Sequence, residues 1–394
     1  MVLYKMQNLK VIEEKILSIS PFVKKVEVSE NEKGLSATLY PNFETLKNSN
    51  IINIESELRW YAIEVYNFGV EDENKIRSYE IVSHTHELKK EKDIETQSYD
   101  ILKSFLVEIS GRDVFLHSHL ELDLGLDSID YVELFIFIEH SFGVIVDERV
   151  FSKIMGMKEL YEYVEKNKKF VKVPDISIED VLTAPIDTKL KYSPWIMYLY
   201  KTLLFPLFKI YFRLEINGYE NIPKSACIFA PSHQSMLDGF LIEATLPYKI
   251  LKNSFFLAYK NVFGTKILKP IADNGQTILI DANENLKKTM QECTLPLRND
   301  SNLVIFPEGA RTRDRKLLEF RPFYAMLSKI YNVPVVPVVI DGSFEALRSG
   351  TSFPKPKKIK IAYLEAIYPE KLNIEEIVEK TRNKIEQEMI SNPV

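Results

Sequence analysis

Residues 226–240, ACIFAPSHQSMLDGF, decide how the C-terminal half of this chain is read. ACIFAP is a short apolar strand that closes at Pro231-Ser232, and SMLDGFLIEATL begins a helix. A strand feeding a helix is the unit of an α/β domain, and His233 falls at the junction, a usual place for catalytic groups in such domains. Asp238 follows five residues later. Five residues of regular helix end about 140° from where they began, so the two side chains cannot share one helical face. They meet only if His233 precedes the helix and Asp238 reaches back from its first turn. The carboxylate would then accept from one ring nitrogen, fix the tautomer and leave the other nitrogen as a base. The same spacing also arises around structural histidines. His233 is the only histidine after His140, so imidazole chemistry in the last domain has a single candidate.

At 394 residues the chain is too long for one ordinary core, and two or three domains are expected. Composition is that of a soluble globular protein, 45% hydrophobic and 27% charged, and a net charge of −5 gives no support to nucleic-acid binding. The two cysteines, Cys227 and Cys293, have neither disulfide-framework nor metal-ligand spacing, which suits a reducing cytoplasmic setting without a metal. MVLYKMQNLKVIEEKIL at the N-terminus is amphipathic and charged throughout, unlike a signal peptide. No apolar run reaches the 18 or more residues of a spanning helix. The nearest, YSPWIMYLYKTLLFPLFKIYFRLEI (192–216), is interrupted by Lys201, Pro206, Lys209 and Arg213. Its interleaved aromatics and cations suit the headgroup boundary, so peripheral attachment to the cytoplasmic face of a membrane is expected, with a buried helix as the competing reading.

Two polar, charge-dense runs, 85–98 and 165–191, lack apolar periodicity and read as linkers. They delimit segments 1–90, 97–167 and 192–394, with 168–191 as the second linker. In the first segment NLKVIEEKIL has helical spacing, KKVEV and LSATLYP alternate as strands around SENEKG, and ESELRWYAIEVYNF returns to helical period. Through SPFVKKVEVSENEKGLSATLYPNFE and NKIRSYEIVSHTHELKK this segment resembles the small C-terminal lid domain of acyl-adenylate-forming enzymes such as fatty-acyl ligases. It departs from that family at THELKKEKD, which has lysines but not the Gly-Lys motif, and no phosphate loop accompanies it. ATP chemistry is therefore not assigned.

In the second segment SIDYVELFIFIEHSFG has Ile129, Val132 and Ile136 at helical spacing, and ELDLGLDS stands before it. A serine at a helix start is ordinarily an N-cap. The longer string LGLDSIDYVEL, within four predicted helices, resembles an acyl carrier protein. That resemblance implies a 4'-phosphopantetheine arm on Ser128, added by a phosphopantetheinyl transferase, and a separate acyl-ACP ligase to load it. A phosphodiester at a helix N-terminus meets the positive end of the dipole. Glu121, Asp123, Asp127, Asp130, Glu133 and Glu139 surround that end, either as a solvated surface or as a docking face for basic partners.

Later strings carry a second resemblance. NLVIFPEGARTRD (302–314) is an apolar strand running into Phe306-Pro307-Glu308-Gly309-Ala310-Arg311, and VPVVPVVI (333–340) is a buried strand with Pro334 and Pro337, a composition that implies an edge or an irregularity. With His233-x4-Asp238 these resemble, in order and spacing over about 195–375, the glycerolipid acyltransferases that include lysophosphatidate acyltransferases. The resemblance implies His233 and Asp238 as catalytic residues and Glu308, Gly309 and Arg311 as the acceptor-binding group. Gly309 permits close backbone approach, and Arg311 offers a planar fork for a phosphate. Arg311 and Arg313 otherwise read as exposed loop charge. Ala282 stands where that family has an arginine, and EFRPFYAML has Arg321 but lacks the usual glycine. KPKKIKI (355–361) reads as a site for an acidic carrier or anionic lipid, or as a solvated edge strand.

The expected fold is multidomain: a small α+β domain, a four-helix acyl-carrier bundle, and an α/β acyltransferase domain whose mixed sheet is flanked by helices. The expected reaction moves a fatty acyl group from a thioester, carried on the chain's own phosphopantetheine, on acyl carrier protein or on acyl-CoA, to a lysophospholipid hydroxyl. The alternative is a non-catalytic carrier or scaffold for a separately encoded acyl ligase.

Overall fold

Alternating side chains build the first sheet. The computed structural model describes residues 2–31, 34–83, 94, 96–146, 148–172, 178–263, 269–280, 286–348 and 353–391. They fall into two compact units, 1–184 with 281–290, and 185–280 with 291–394. In the first, β1 (Val23–Asn31) pairs antiparallel with β2 (Gly34–Pro41), and β3 (Ile76–Ile81) pairs parallel with β2. Val26, Val28, Ala37 and Leu39 point to one side and are buried with Ile12 and Ile16 of the helix Val2–Ile19. A second helical run, 54–68, includes a π-helical stretch, Arg59–Glu64. It ends near Asn67, whose amide bonds both the N–H and the carbonyl of Ile76 and so sets where β3 begins.

Helices Gln97–Ser110, Ser128–Phe142, Glu148–Phe151 and Met157–Asn167 follow. Thr96 caps the first through the Tyr99 N–H, and Gly111 ends it in the left-handed region at φ 64°. The second opens on a reciprocal cap: Asp127 accepts from the Ile129 and Asp130 amides, while Asp130 accepts from the Asp127 amide. Asp127 therefore does the capping, and Ser128 is the first helical residue; its side chain lies outside the described set.

The acidic cluster expected to form one docking face is mostly used internally. Glu121 is buried, and its two oxygens accept from the Ile54 and Glu55 amides, at 2.7 Å each, capping the 54–68 helical run. Asp123 accepts from Ser83 Oγ at 2.6 Å and from the His119 amide at 2.8 Å. Lys47 pairs with Glu159 at 2.6 Å, His119 lies against Phe43, and Met155 completes the core of residues 12–76. Residues 1–83 and 97–172 thus pack as one body. A buried carboxylate that holds two amides is expensive to alter, so Glu121→Gln, which presents an NH2 group to one of those donors, should lower the thermal midpoint by several degrees. An unchanged midpoint would remove Glu121 as a structural tie.

Part of the expected linker is ordered. Residues 173–177 lie outside the described set, but Ile178–Thr183 is a helix with Val181 and Leu182 buried against the helix Ser128–Phe142. Six residues are too few to display a helical period, which is why this segment passed as polar chain.

The second unit is built on a seven-stranded mixed sheet, order β4-β10-β9-β5-β8-β6-β7. Its strands are β4 (Glu215–Asn217), β5 (Ile228–Pro231), β6 (Ser254–Tyr259), β7 (Thr277–Ile280), β8 (Asn302–Val304), β9 (Val335–Asp341) and β10 (Lys360–Tyr363). All neighbours are parallel except β9 and β10. β5 is central and wholly buried, as its apolar composition requires. Pro337 sits inside β9, between two strands, without disrupting them. Its register partners on the β10 side have ended: Leu364 N–H donates to the Pro337 carbonyl, and the next contact is the separate bridge Val335–Ile367. The proline therefore lies just past the end of β10, at the irregularity that its place in a strand implies. Phe229, Val336, Val338 and Ile340 face one core with Leu241, Ile242 and the helix Pro194–Tyr211. Among the described residues no helix is long and apolar enough to cross a membrane. Cys227 and Cys293 are buried free thiols.

Candidate active site

β5 ends at Pro231, and Ser232 continues its ladder by donating its amide to the Val338 carbonyl. The helix does not begin at Ser235, as its composition suggested, but at Asp238. The reason is the Asp238 carboxylate. Its Oδ2 accepts from the amides of Gln234 (2.6 Å) and Ser235 (2.7 Å), which folds 234–237 into a tight turn. The same oxygen lies 3.0 Å from His233 Nδ1. The reach-back geometry required by the sequence is thus the one observed, with His233 before the helix and Asp238 in its first turn.

Exposure separates the roles. Asp238 is fully buried, whereas the His233 side chain retains 21% of its accessible surface and its ring stacks on Phe306 at 4.1 Å between centroids. With Nδ1 facing a buried carboxylate, proton transfer with a reactant falls to Nε2. Asp238 is also at the N-terminal end of the helix Asp238–Thr245, where the dipole favours its negative charge.

The loop after β8 is tied to the histidine from the other side. Glu308 is buried; Oε1 accepts from the His233 amide at 2.7 Å and Oε2 from the Leu318 amide at 2.8 Å. Thr312 N–H donates back to the His233 carbonyl. Both Glu308 oxygens are engaged by the chain's own backbone, so its observed part is to position His233 and the 312–318 loop. Burial pushes its carboxyl up to about 8, against the two amide bonds that favour its ionised form. Gly309 adopts φ 62°, the left-handed region; a Cβ there would meet nothing nearer than Tyr259 Oη at 3.7 Å, so backbone conformation rather than crowding by the protein demands glycine. Arg311 is half-buried and follows directly on this turn. Ala282 lies outside the described residues.

Sequence reasoning therefore located His233, Asp238 and the 308–311 turn, which the structure brings together through the Glu308 bridge. It missed Phe306 as the surface on which the imidazole lies and the backbone role of Glu308. The apolar residue preceding Pro-Glu-Gly was a visible signal for the first, whereas a carboxylate that bonds only amides leaves none.

Glu243, on the same helix as Asp238, is buried, and burial pushes its carboxyl up to about 8. The unfolded chain releases that proton near 4.5, so between about 4.5 and 8 the folded state holds it and the unfolded state does not. The resulting stability is full at the acidic end and is lost as pH rises towards 8. The thermal midpoint of Glu243→Gln should therefore gain on that of the parent from pH 5 to pH 8. A constant difference across that window would overturn the assignment.

Residues 213–341, which contain all of these groups, match the model of a family described as Acyltransferase. Among curated proteins, the 1-acyl-sn-glycerol-3-phosphate acyltransferase of Limnanthes douglasii is 28% identical over 170 residues, 42% of this chain and 58% of that protein. The enzyme of the same name from Pseudomonas aeruginosa is 33% identical over 131 residues, 32% of this chain and 48% of that one. The chain thus spans about half the length of the curated relatives it matches. A solved structure titled 1-acyl-sn-glycerophosphate (LPA) acyltransferase, PlsC, from Thermotoga maritima aligns with a TM-score of 0.45 at 21% identity, over 51% of this chain and 81% of that one.

Proposed function

We propose that this chain is an O-acyltransferase that moves a fatty acyl group from a thioester to the free hydroxyl of a lysophospholipid, with 1-acylglycerol-3-phosphate the first acceptor to test. The observation that carries the reading is the 3.0 Å contact between Nδ1 of a partly exposed His233 and a buried Asp238, within the stretch that matches the acyltransferase family. An alcohol is a poor nucleophile at neutral pH. Nε2 takes its proton as the oxygen attacks the thioester carbonyl, and the Asp238 carboxylate steadies the imidazolium. The tetrahedral intermediate expels the thiolate, which takes the proton back from the imidazolium, leaving ester and thiol. Glu308 keeps His233 in register, and Arg311 is the proposed partner of an acceptor phosphate. The parent chain should acylate at least one member of a lysophospholipid panel from acyl-CoA or acyl carrier thioester. If it acylates none of them, the reading fails.

Two further parts belong to the proposal. Ser128 carries a 4'-phosphopantetheine arm, and the donor is the acyl group on that arm. The string LGLDSIDYVEL and the position of Ser128 as the first residue of a capped helix support this. Intact mass after coexpression with a phosphopantetheinyl transferase should show one added arm, absent in Ser128→Ala. No added mass in the parent would remove the carrier assignment and leave the transferase reading standing. The helix Pro194–Tyr211 meets the membrane surface: Trp195, Leu199, Leu203, Leu207 and Ile210, spaced by four, four, four and three residues, are all exposed along one side.

A further inference from the structure

Beyond that helix, the structure sorts the lysine-rich segment after Phe353 into two kinds of residue. Lys358 pairs with Glu215 at 2.7 Å and Lys360 with Glu388 at 2.7 Å, while Ile359 and Ile361 are buried. β10 lies between β4 and β9, so the segment does not end in a solvated edge strand. Lys355 and Lys357 remain as exposed cations, and Phe353 beside them keeps 83% of its surface accessible. The Tyr211 hydroxyl donates to the Pro354 carbonyl at 2.8 Å, which fastens this segment to the last residue of the helix Pro194–Tyr211. Beside Tyr211 in the chain stand Ile210, 80% exposed, the exposed Arg213, and Lys209, whose Nζ donates to the Leu214 carbonyl at 2.9 Å.

We infer that residues 353–357 form a second membrane contact, with Phe353 entering the acyl boundary and Lys355 and Lys357 selecting an anionic lipid surface. An exposed phenylalanine is costly to leave in water and gains by insertion, and flanking lysines can keep their heads among anionic headgroups. The occupant follows from charge: an exposed ring at the end of an apolar stripe, with the exposed Lys355 and Lys357 alongside, complements a negatively charged bilayer. The helix supplies the larger apolar contact; the 353–357 segment adds the Phe353 ring, lipid-charge selectivity and a second point that fixes the orientation of the unit on the surface. This inference rests on the reading of the chain as an enzyme of lipid surfaces.

The full chain is tested against vesicles of phosphatidylcholine alone and of phosphatidylcholine with about one third phosphatidylglycerol. Lys355→Gln with Lys357→Gln should weaken binding to the anionic vesicles by about 25-fold, from about five-fold per lysine, and leave the neutral vesicles unaffected. Phe353→Ser should weaken binding to both, and all three positions are exposed, so folding is not at stake. Unchanged affinity of the double lysine variant for anionic vesicles overturns the inference. So does a result in which only transfer from a carrier-bound acyl group falls, which would assign the patch to an acidic protein partner. His233→Ala should bind both vesicles as the parent does, so failure of this contact and failure of the proposed chemistry are read separately.

Discussion

His233→Ala is expected to lower acyl transfer by about 10²- to 10⁴-fold, the range that a positioned base contributes. The effect should appear in kcat, because the imidazole acts on a proton that moves only as the bond forms. The loss should come with little change in thermal midpoint. The ring is partly exposed, its backbone amide and carbonyl keep their bonds to Glu308 and Thr312, and Asp238 keeps its two amide donors. The decisive comparison is initial rate and midpoint on the same preparations. Equal rates in parent and variant would remove His233 from the chemistry, whatever the family match.

Asp238→Asn tests the other half of the pair, and a fall of about 10²-fold or more in kcat is expected. Three donors converge on Oδ2 of Asp238, namely two backbone amides and the ring nitrogen. An asparagine oxygen at that point satisfies the turn but removes the charge that steadies the imidazolium. Turned the other way, its NH2 group confronts all three donors. The first orientation keeps the fold and costs rate, while the second costs stability of about 1–3 kcal/mol per unpaired amide. A variant with parental kcat and an unchanged midpoint would show that the carboxylate serves neither purpose.

Much of the α/β unit was legible because its signals are local. ACIFAP had to be a strand, the five-residue spacing excluded a shared helical face, and only one geometry was left for His233 and Asp238. The same locality made the Asp127 cap readable as a helix start, although the sequence singled out Ser128 rather than Asp127 for the role. What stayed hidden depends on partners remote in sequence. Glu308 looked like a group presented to substrate, but its donors are supplied by residues 233 and 318. Glu121 looked like one of six surface acids, but its donors are 67 and 66 residues away. Lys358 and Lys360 read as part of a basic run until Glu215 and Glu388 came beside them. Composition reports charge without reporting its counterpart, and a six-residue helix such as Ile178–Thr183 is shorter than the window that reveals periodicity.

The Glu121 tie also bears on how the chain can be divided. A fragment beginning near residue 97 would strip that carboxylate of both amides and uncover Met155 to water, so the Ser128 region is not a portable cassette that can be grafted onto another enzyme. Any attempt to reuse it should carry residues 1–83 along, and a lineage that discarded them would have had to replace Glu121 as well.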